Sequence, residues 1–475
     1  MEHLASGQAG FALTPMDRMM DTPLAAAPAF LDRPAVIAAA RTWTWRDVHR
    51  CSIALAQRLV DGATVCNLCD SRAGFLIAWL AALRRGCTQV LPPSSGRAEL
   101  AGILQLARNP VIVVDDTGSA AVWDSEAQCL QVDVEAPLLS DQELAWLQDS
   151  DADAPLVRLY TSGSTGAPEP QNRSLSQLVR GARVLAARLD DTVPGGIAAL
   201  GQIVCSVTPQ HMFGLETSVM LPLVTGIPVR ELKPLLPADV HAAFAAATVD
   251  GAWVATPLHL RALALSGVTL SHCRLVLAST MPLSASLAAQ VEALGNAPVL
   301  EIYGSTETGV VAMRRTAVEA CWLPVDGVRI EPAEMGTRVT GGHFPSPCLL
   351  ADQVEPDGNG GFVLLARLGD LIKIAGRRAS LGSLNRLLED MPGLTHGVFY
   401  LPAGSSGTQR LVLIHEGPPL DRAVVHQWLR GRMDALFLPR TIIRVERLPR
   451  TPAGKLRRTA LDGVYAAHMA GKQRR

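Results

Sequence analysis

One short segment restricts the fold of this chain more than any other. It is Tyr160-Thr-Ser-Gly-Ser-Thr-Gly-Ala-Pro168, lying between an apolar strand-like run, Leu156–Leu159, and a helix opened by Ser174-x-x-Gln177. Ser followed three residues later by Gln can close a reciprocal capping box, which marks a helix start. Small hydroxyl residues mixed with glycines let backbone N–H and side-chain O–H groups converge on one anion. The loop is not of the Walker type, because no Gly-Lys-Ser/Thr ends it. The competing reading is a merely flexible Ser/Gly turn. Similar alternation runs through most of the first 365 residues. Thr44-x-x-Asp47 opens a helix with Val48, Cys51, Leu55 and Leu59 on one face, and Val111–Val114, Ile203–Val207, Leu275–Ala278 and Val299–Tyr303 read as short strands. Strands alternating with helices predict an α/β fold with mostly parallel sheets.

A length of 475 residues suits two or three domains. The start Met1-Glu2-His3 carries no basic region followed by an apolar run, and no stretch reaches about 18 uncharged apolar residues. Neither a signal peptide nor a membrane span is therefore expected. Nine scattered cysteines suggest reduced thiols and a cytoplasmic protein. Cys66 and Cys69 form a C-x-x-C, but the surrounding VCNLCD reads as a buried strand and no second pair completes a zinc site. Charge is uneven. Residues 368–475 hold 18 Lys+Arg against 8 Asp+Glu, a net of +10, and the rest of the chain carries −11. Such a split predicts either an acidic or phosphate-bearing partner for the basic part, or its docking on the acidic remainder. The change falls near Arg367–Asp370, which divides residues 1–367 from 368–475.

Three further groups carry chemistry. In Glu301-Ile-Tyr-Gly-Ser-Thr-Glu-Thr308, Tyr303 offers a flat ring for a base, Thr306 a hydroxyl for a phosphate and Glu307 a hard oxygen for Mg2+. Asp352 could hold both hydroxyls of a ribose, and Arg367 could bind the same sugar edge or a phosphate. Lys455 ends Leu448-Pro-Arg-Thr-Pro-Ala-Gly-Lys455, a loop able to present one ammonium on a stem. Taken singly, each of these residues would more often be an ordinary strand end or a solvated charge.

In this order, from about Leu31 to Leu461, the four groups resemble the adenylate-forming superfamily of acyl-CoA synthetases, peptide-synthetase adenylation domains and firefly luciferase. The resemblance implies a large N-terminal part of layered α/β subdomains and a small mobile α+β C-terminal domain. It implies ATP and Mg2+ as cofactors. Thr161, Ser162, Gly163, Ser164, Thr165 and Gly166 would hold the phosphates. Tyr303, Gly304, Ser305 and Ser279 would line the adenine site, and Thr306 and Glu307 would meet the α-phosphate and Mg2+. Asp352 and Arg367 would take the ribose, and Lys455 would bridge carboxylate and α-phosphate. Gly369, beside Asp370, stands at the pivot, and Lys373 and Gly376 would face the thiol tunnel after rotation. His211 and Phe213 would wall the acid pocket, with Ala278 and Gly309 leaving room for a flat ring or a short chain. One departure stands out: Glu169 replaces the lysine that usually ends the phosphate loop, with Arg173 the candidate to compensate.

A narrower likeness, carried by VCNLCDSRAGFLIAWLAALRRGCTQVLPPS and GGFVLLARLGDLIKIAGRRASLGSLNRLL, is to stand-alone ligases of aryl polyene and xanthomonadin-type pigment clusters. It implies loading of a hydroxybenzoate-type aryl acid onto the phosphopantetheine thiol of an acyl carrier protein. The alternatives are an acid:CoA ligase and a nucleotide-binding paralogue without turnover. No nucleic-acid polymer is expected as a partner.

Overall fold

The computed structural model describes residues 28–92, 97–116, 127–133, 155–162, 168–367, 371–374, 377–402, 410–450 and 456–473. Two large sheets dominate the described residues. The first runs Gln128–Gln131, Pro110–Val114, Thr64–Asn67, Thr88–Leu91, Pro155–Ser162, Pro168–Ser174, with every pairing parallel except the last. The second has a parallel centre of Val299–Ser305, Cys273–Ala278, Gly251–Ala255, Gln202–Cys205, Val229–Arg230 and Pro34–Ile37. Antiparallel strands border it at both edges: Gly309–Arg315 and Leu323–Pro324 on one side, Thr42–Thr44 on the other.

The expected helix starts form as capping boxes. Asp47 N–H donates to Thr44 Oγ1 at 3.2 Å, and Thr44 N–H donates to the Asp47 carboxylate at 3.1 Å. Ser174 and Gln177 close the same pair of bonds at 3.2 and 3.0 Å. The helix Trp45–Ala56 is amphipathic and buries Val48, Cys51 and Leu55. The helix Arg72–Arg84 is apolar around its circumference and buried from Arg72 to Leu83, as a helix covered on all sides must be. Cys66 and Cys69 lie in this interior. Burial pushes the Cys66 thiol up to about 12, and the Cys69 thiol well up too, so both are neutral packing groups.

Two stretches depart from the expected alternation. The segment Pro168–Ser174 is a strand paired antiparallel with Pro155–Ser162, not part of a loop leading straight into a helix. Its prolines are tolerated because the strand lies at the sheet edge, where a missing N–H breaks no ladder. From Val299 to Arg367 the chain makes strands without an intervening helix: the first three complete one side of the second large sheet, and those from Val328 onward pair antiparallel in small sheets.

Residues after Leu371 build their own core on a three-stranded sheet of His396–Tyr400, Val412–Glu416 and Thr441–Arg444. Leu411, Leu413 and Phe399 pack on one face, and Val398, Val412 and Ile414 on the other. This part meets the helices Pro257–Ser266 and Ala285–Gly295: Arg261 Nη1 donates to the Glu389 carbonyl at 3.4 Å, and Ser286 Oγ donates to the Asp390 carboxylate. Burial pushes the Glu389 carboxyl up to about 7. Among the described residues no helix is long and apolar enough to cross a membrane.

Candidate active site

The segment Tyr303–Gly309 is the tip of an antiparallel hairpin, with Ser305 opposite Gly309. Ser305 N–H donates to Thr308 Oγ1 at 3.0 Å, and Thr308 N–H returns a bond to the Ser305 carbonyl at 3.3 Å. The two strands approach so closely at Gly304 that a Cβ there would lie 2.0 Å from the Gly309 carbonyl oxygen, so only glycine fits. Gly309 has φ +70°, and its missing side chain leaves room for another group: Glu216 Oε1 lies 2.4 Å from where its Cβ would be. Thr306 and Glu307 stand partly exposed at the tip.

Tyr303, partly buried, is set by aromatic neighbours: its centroid lies 5.5 Å from that of Trp322 and 6.0 Å from that of Phe362. Ser279, at the end of the adjoining strand, donates to the Ile302 carbonyl at 2.9 Å. Ala278 is fully buried between its strand partners. Thr280 follows with φ +82°, a strained value for a β-branched residue, and its buried hydroxyl has no partner among the described residues. Asp352 pairs in register with Arg367 across the hairpin Asp352–Pro356/Phe362–Arg367, so the fifteen-residue spacing becomes adjacency. Thr337 Oγ1 fixes the Asp352 carbonyl at 2.5 Å.

His211 caps the helix beginning at Met212, its Nδ1 accepting from Phe213 N–H at 3.3 Å, and Phe213 is buried. Thr161 and Ser162 end the strand Pro155–Ser162, with Thr161 opposite Glu169. Gly163, Ser164, Thr165, Gly166, Gly369, Asp370, Gly376 and Lys455 lie outside the described residues. Arg173, the candidate to offset Glu169, lies on the edge strand Pro168–Ser174 just before the helix cap Ser174. It is buried, and Nη2 donates to the Thr306 carbonyl at 2.8 Å. Its place just before the helix cap turns it inward, toward the second hairpin.

Glu216 and His343 are functional candidates that local sequence reasoning missed. Glu216 is the one charge in the run Met212–Thr225, a signal that could have been weighed. Its carboxylate accepts from Val310 N–H at 3.0 Å, and burial pushes it up to about 7 despite that bond and nearby Arg173. A widened, π-type turn begins at Glu216, a distortion frequent at functional sites. His343 Nε2 donates to the Thr308 carbonyl at 3.1 Å, and burial lowers the ring to about 4, so it is neutral. Glu301, by contrast, is consumed structurally, accepting two bonds from Arg314 at 2.9 and 2.8 Å and one from Thr316 at 2.8 Å.

The donor set fits ATP with Mg2+. Among the described residues no group of three His, Cys, Asp or Glu could hold a metal alone. Glu307 would supply one hard oxygen to a nucleotide-bound Mg2+, which would offset the charge of the phosphates.

A large α/β part followed by a small C-terminal domain is the architecture of known acid-activating enzymes. The chain superposes on O-succinylbenzoate coenzyme A synthetase (MenE) from Bacillus subtilis in complex with AMP, with a TM-score of 0.77 at 18% identity, covering 93% of this chain and 97% of that one. It superposes equally on ATP-bound MatB from Rhodopseudomonas palustris, with a TM-score of 0.77 at 20% identity and coverage of 95% and 98%. The sequence model of the AMP-binding enzyme family matches residues 25–341, and the chain belongs to that family. A 4-coumarate–CoA ligase of Rhodobacter capsulatus is 31% identical over 49% of this chain and 57% of its own length. The p-hydroxybenzoic acid–AMP ligase FadD22 of Mycobacterium marinum is 26% identical over 66% of this chain and 50% of its own. The chain thus spans little more than half of these relatives.

Proposed function

We propose that this chain joins a carboxylic acid to a thiol through an acyl-adenylate. A carboxylate oxygen attacks the α-phosphorus of ATP and pyrophosphate leaves. A thiol then loses its proton and attacks the acyl carbon, and AMP departs. The observation that carries this reading is the hairpin tip, where Thr306 and Glu307 stand partly exposed on the turn that follows the strand bearing Tyr303. Two anions must meet in the first step, so Mg2+ would offset their repulsion while Glu307 helps to hold it. Tyr303 would face the base, Asp352 and Arg367 the ribose, and Thr161–Gly166 the outgoing phosphates. Lys455 would bridge the reacting oxygens. It would arrive on a mobile unit, residues 368–475, that pivots at Gly369–Asp370.

For the acid, a hydroxybenzoate-type ring is the reading best supported, with His211, Phe213 and Ala278 around it. The names of relatives that act on p-hydroxybenzoate and 4-coumarate favour an aromatic substrate. For the thiol, the +10 charge of residues 368–475 favours an acidic acyl carrier protein bearing phosphopantetheine. Coenzyme A is the second reading, favoured by the CoA-ligase relatives.

Pyrophosphate release across benzoates, cinnamates and fatty acids, followed by transfer to holo-carrier protein or to CoA, tests both choices. Hydroxybenzoates are expected to give the highest kcat/KM and holo-carrier the faster transfer. Brisk CoA loading with every carrier ignored would overturn the carrier assignment. An absence of acid-dependent pyrophosphate release would overturn the ligase reading itself.

A further inference from the structure

Three backbone groups of the Thr306–Glu307 tip are each taken by a buried side chain from elsewhere. The Thr306 carbonyl receives Arg173 Nη2 at 2.8 Å, the Thr308 carbonyl receives His343 Nε2 at 3.1 Å, and Val310 N–H donates to Glu216 Oε1 at 3.0 Å. The three residues are 8%, 4% and 5% exposed. They come from the edge strand Pro168–Ser174, the turn after Gly336–Gly341, and the helix that His211 caps. Glycines make the space: a Cβ on Gly181 would meet both Glu216 Oε1 and His343 Cδ2 at 3.5 Å, and one on Gly309 would collide with Glu216.

Polar capacity is left over in this interior. Among the described residues, Arg173 Nε and His343 Nδ1 are buried without a partner. Burying these groups costs stability that well-packed apolar side chains would not forfeit. What the polar groups supply instead is direction. Arg173 lies on the strand returning from the Ser/Gly loop and bonds the tip of the other hairpin, so it ties together the edges of the two large sheets.

We propose that Arg173, Glu216 and His343 act together as positioning residues, a bracket that aims Thr306 and Glu307 at Mg2+ and the α-phosphate and ties them to the edge strand Pro168–Ser174. The inference rests on the adenylation reading above. Removing partners that orient a metal ligand typically costs about 10–100-fold in metal affinity or activity.

The test is calorimetric titration of the full chain with ATP over a series of Mg2+ concentrations, without acid, with Tm measured in parallel. The wild type is expected to bind ATP more tightly as Mg2+ rises. In Arg173→Met and Glu216→Met, which remove the bracket's bonds, that Mg2+-linked gain should shrink about tenfold or more, while Mg2+-free ATP affinity changes little. Arg173→Lys, which keeps one N–H donor, should recover part of it. With acid present, kcat should fall and the KM for acid should hold. Should Arg173→Met not fold, Arg173→Lys and Glu216→Met decide. Folded variants with an unaltered Mg2+ linkage, or with equal losses with and without Mg2+, would overturn the bracket. A wild type that binds no ATP would overturn the adenylation reading, and the bracket with it.

Discussion

Glu216 shows how one buried carboxyl can set a pH dependence. Its folded value of about 7 lies above the ordinary 4.5, so the folded chain keeps a proton that the unfolded chain releases. The stability from this group is full below pH 4.5 and is lost as pH rises through about 7. Arg173, His343 and the Val310 amide face it, and Glu307 and Cys348 face Arg173 in turn. Glu216→Gln should therefore unfold with a flatter pH dependence between about pH 4.5 and 7, a difference on the order of 3 kcal/mol across that window. Urea midpoints measured across the range check it, and parallel wild-type and mutant curves would refute it. Lys455 belongs to the same scale. Lys455→Ala should slow acyl-adenylate formation several hundredfold, roughly 3–4 kcal/mol, and spare transfer from a supplied acyl-adenylate. Equal loss in both half-reactions would make the lysine structural.

At the scale of elements, the strands at Val111–Val114, Leu275–Ala278 and Val299–Tyr303 and both capping boxes were legible, because each is signalled by neighbours within a few residues. The strand Pro168–Ser174 was not. Pro-Glu-Pro-Gln-Asn-Arg-Ser has a loop's composition, and only the vacant sheet edge makes it a strand. The groups around Thr306 were hidden for another reason. Arg173, Glu216 and His343 are spread over 170 residues, and nothing local announces that three elements converge on one turn. Arg173 bonds the Thr306 carbonyl, and we propose that Glu169 repels the outgoing pyrophosphate. Glu169→Lys should lower the KM for ATP or raise the adenylation rate, read by pyrophosphate exchange. A loss of rate would give Glu169 a task of its own.

Across the whole molecule, charge is the organising quantity. The basic residues after Leu368 include Arg430, Arg432, Arg440 and Arg444, against a net-acidic remainder. If these arginines steer an acidic carrier, transfer should slow markedly as added salt shortens the Debye length to about 8 Å at physiological strength. Pyrophosphate release in the first step should change far less. Reversing the charge of Arg430, Arg432 and Arg440 should reproduce that pattern at low salt. Transfer that ignores salt would remove the steering.

The second large sheet also fixes the order in which the chain can mature. Its strands Pro34–Ile37 and Thr42–Thr44 pair with each other early, but Pro34–Ile37 needs Val229–Arg230 on its other side. Those residues emerge roughly 190 positions later, about 10–40 s of ribosomal synthesis at ordinary rates. Throughout that wait an apolar hairpin bearing Trp43 beside Trp45 has one open edge in a crowded solution. A nascent chain stalled before Val229 is therefore the form most dependent on chaperone shielding, and expression should improve when translation between the two segments is fast.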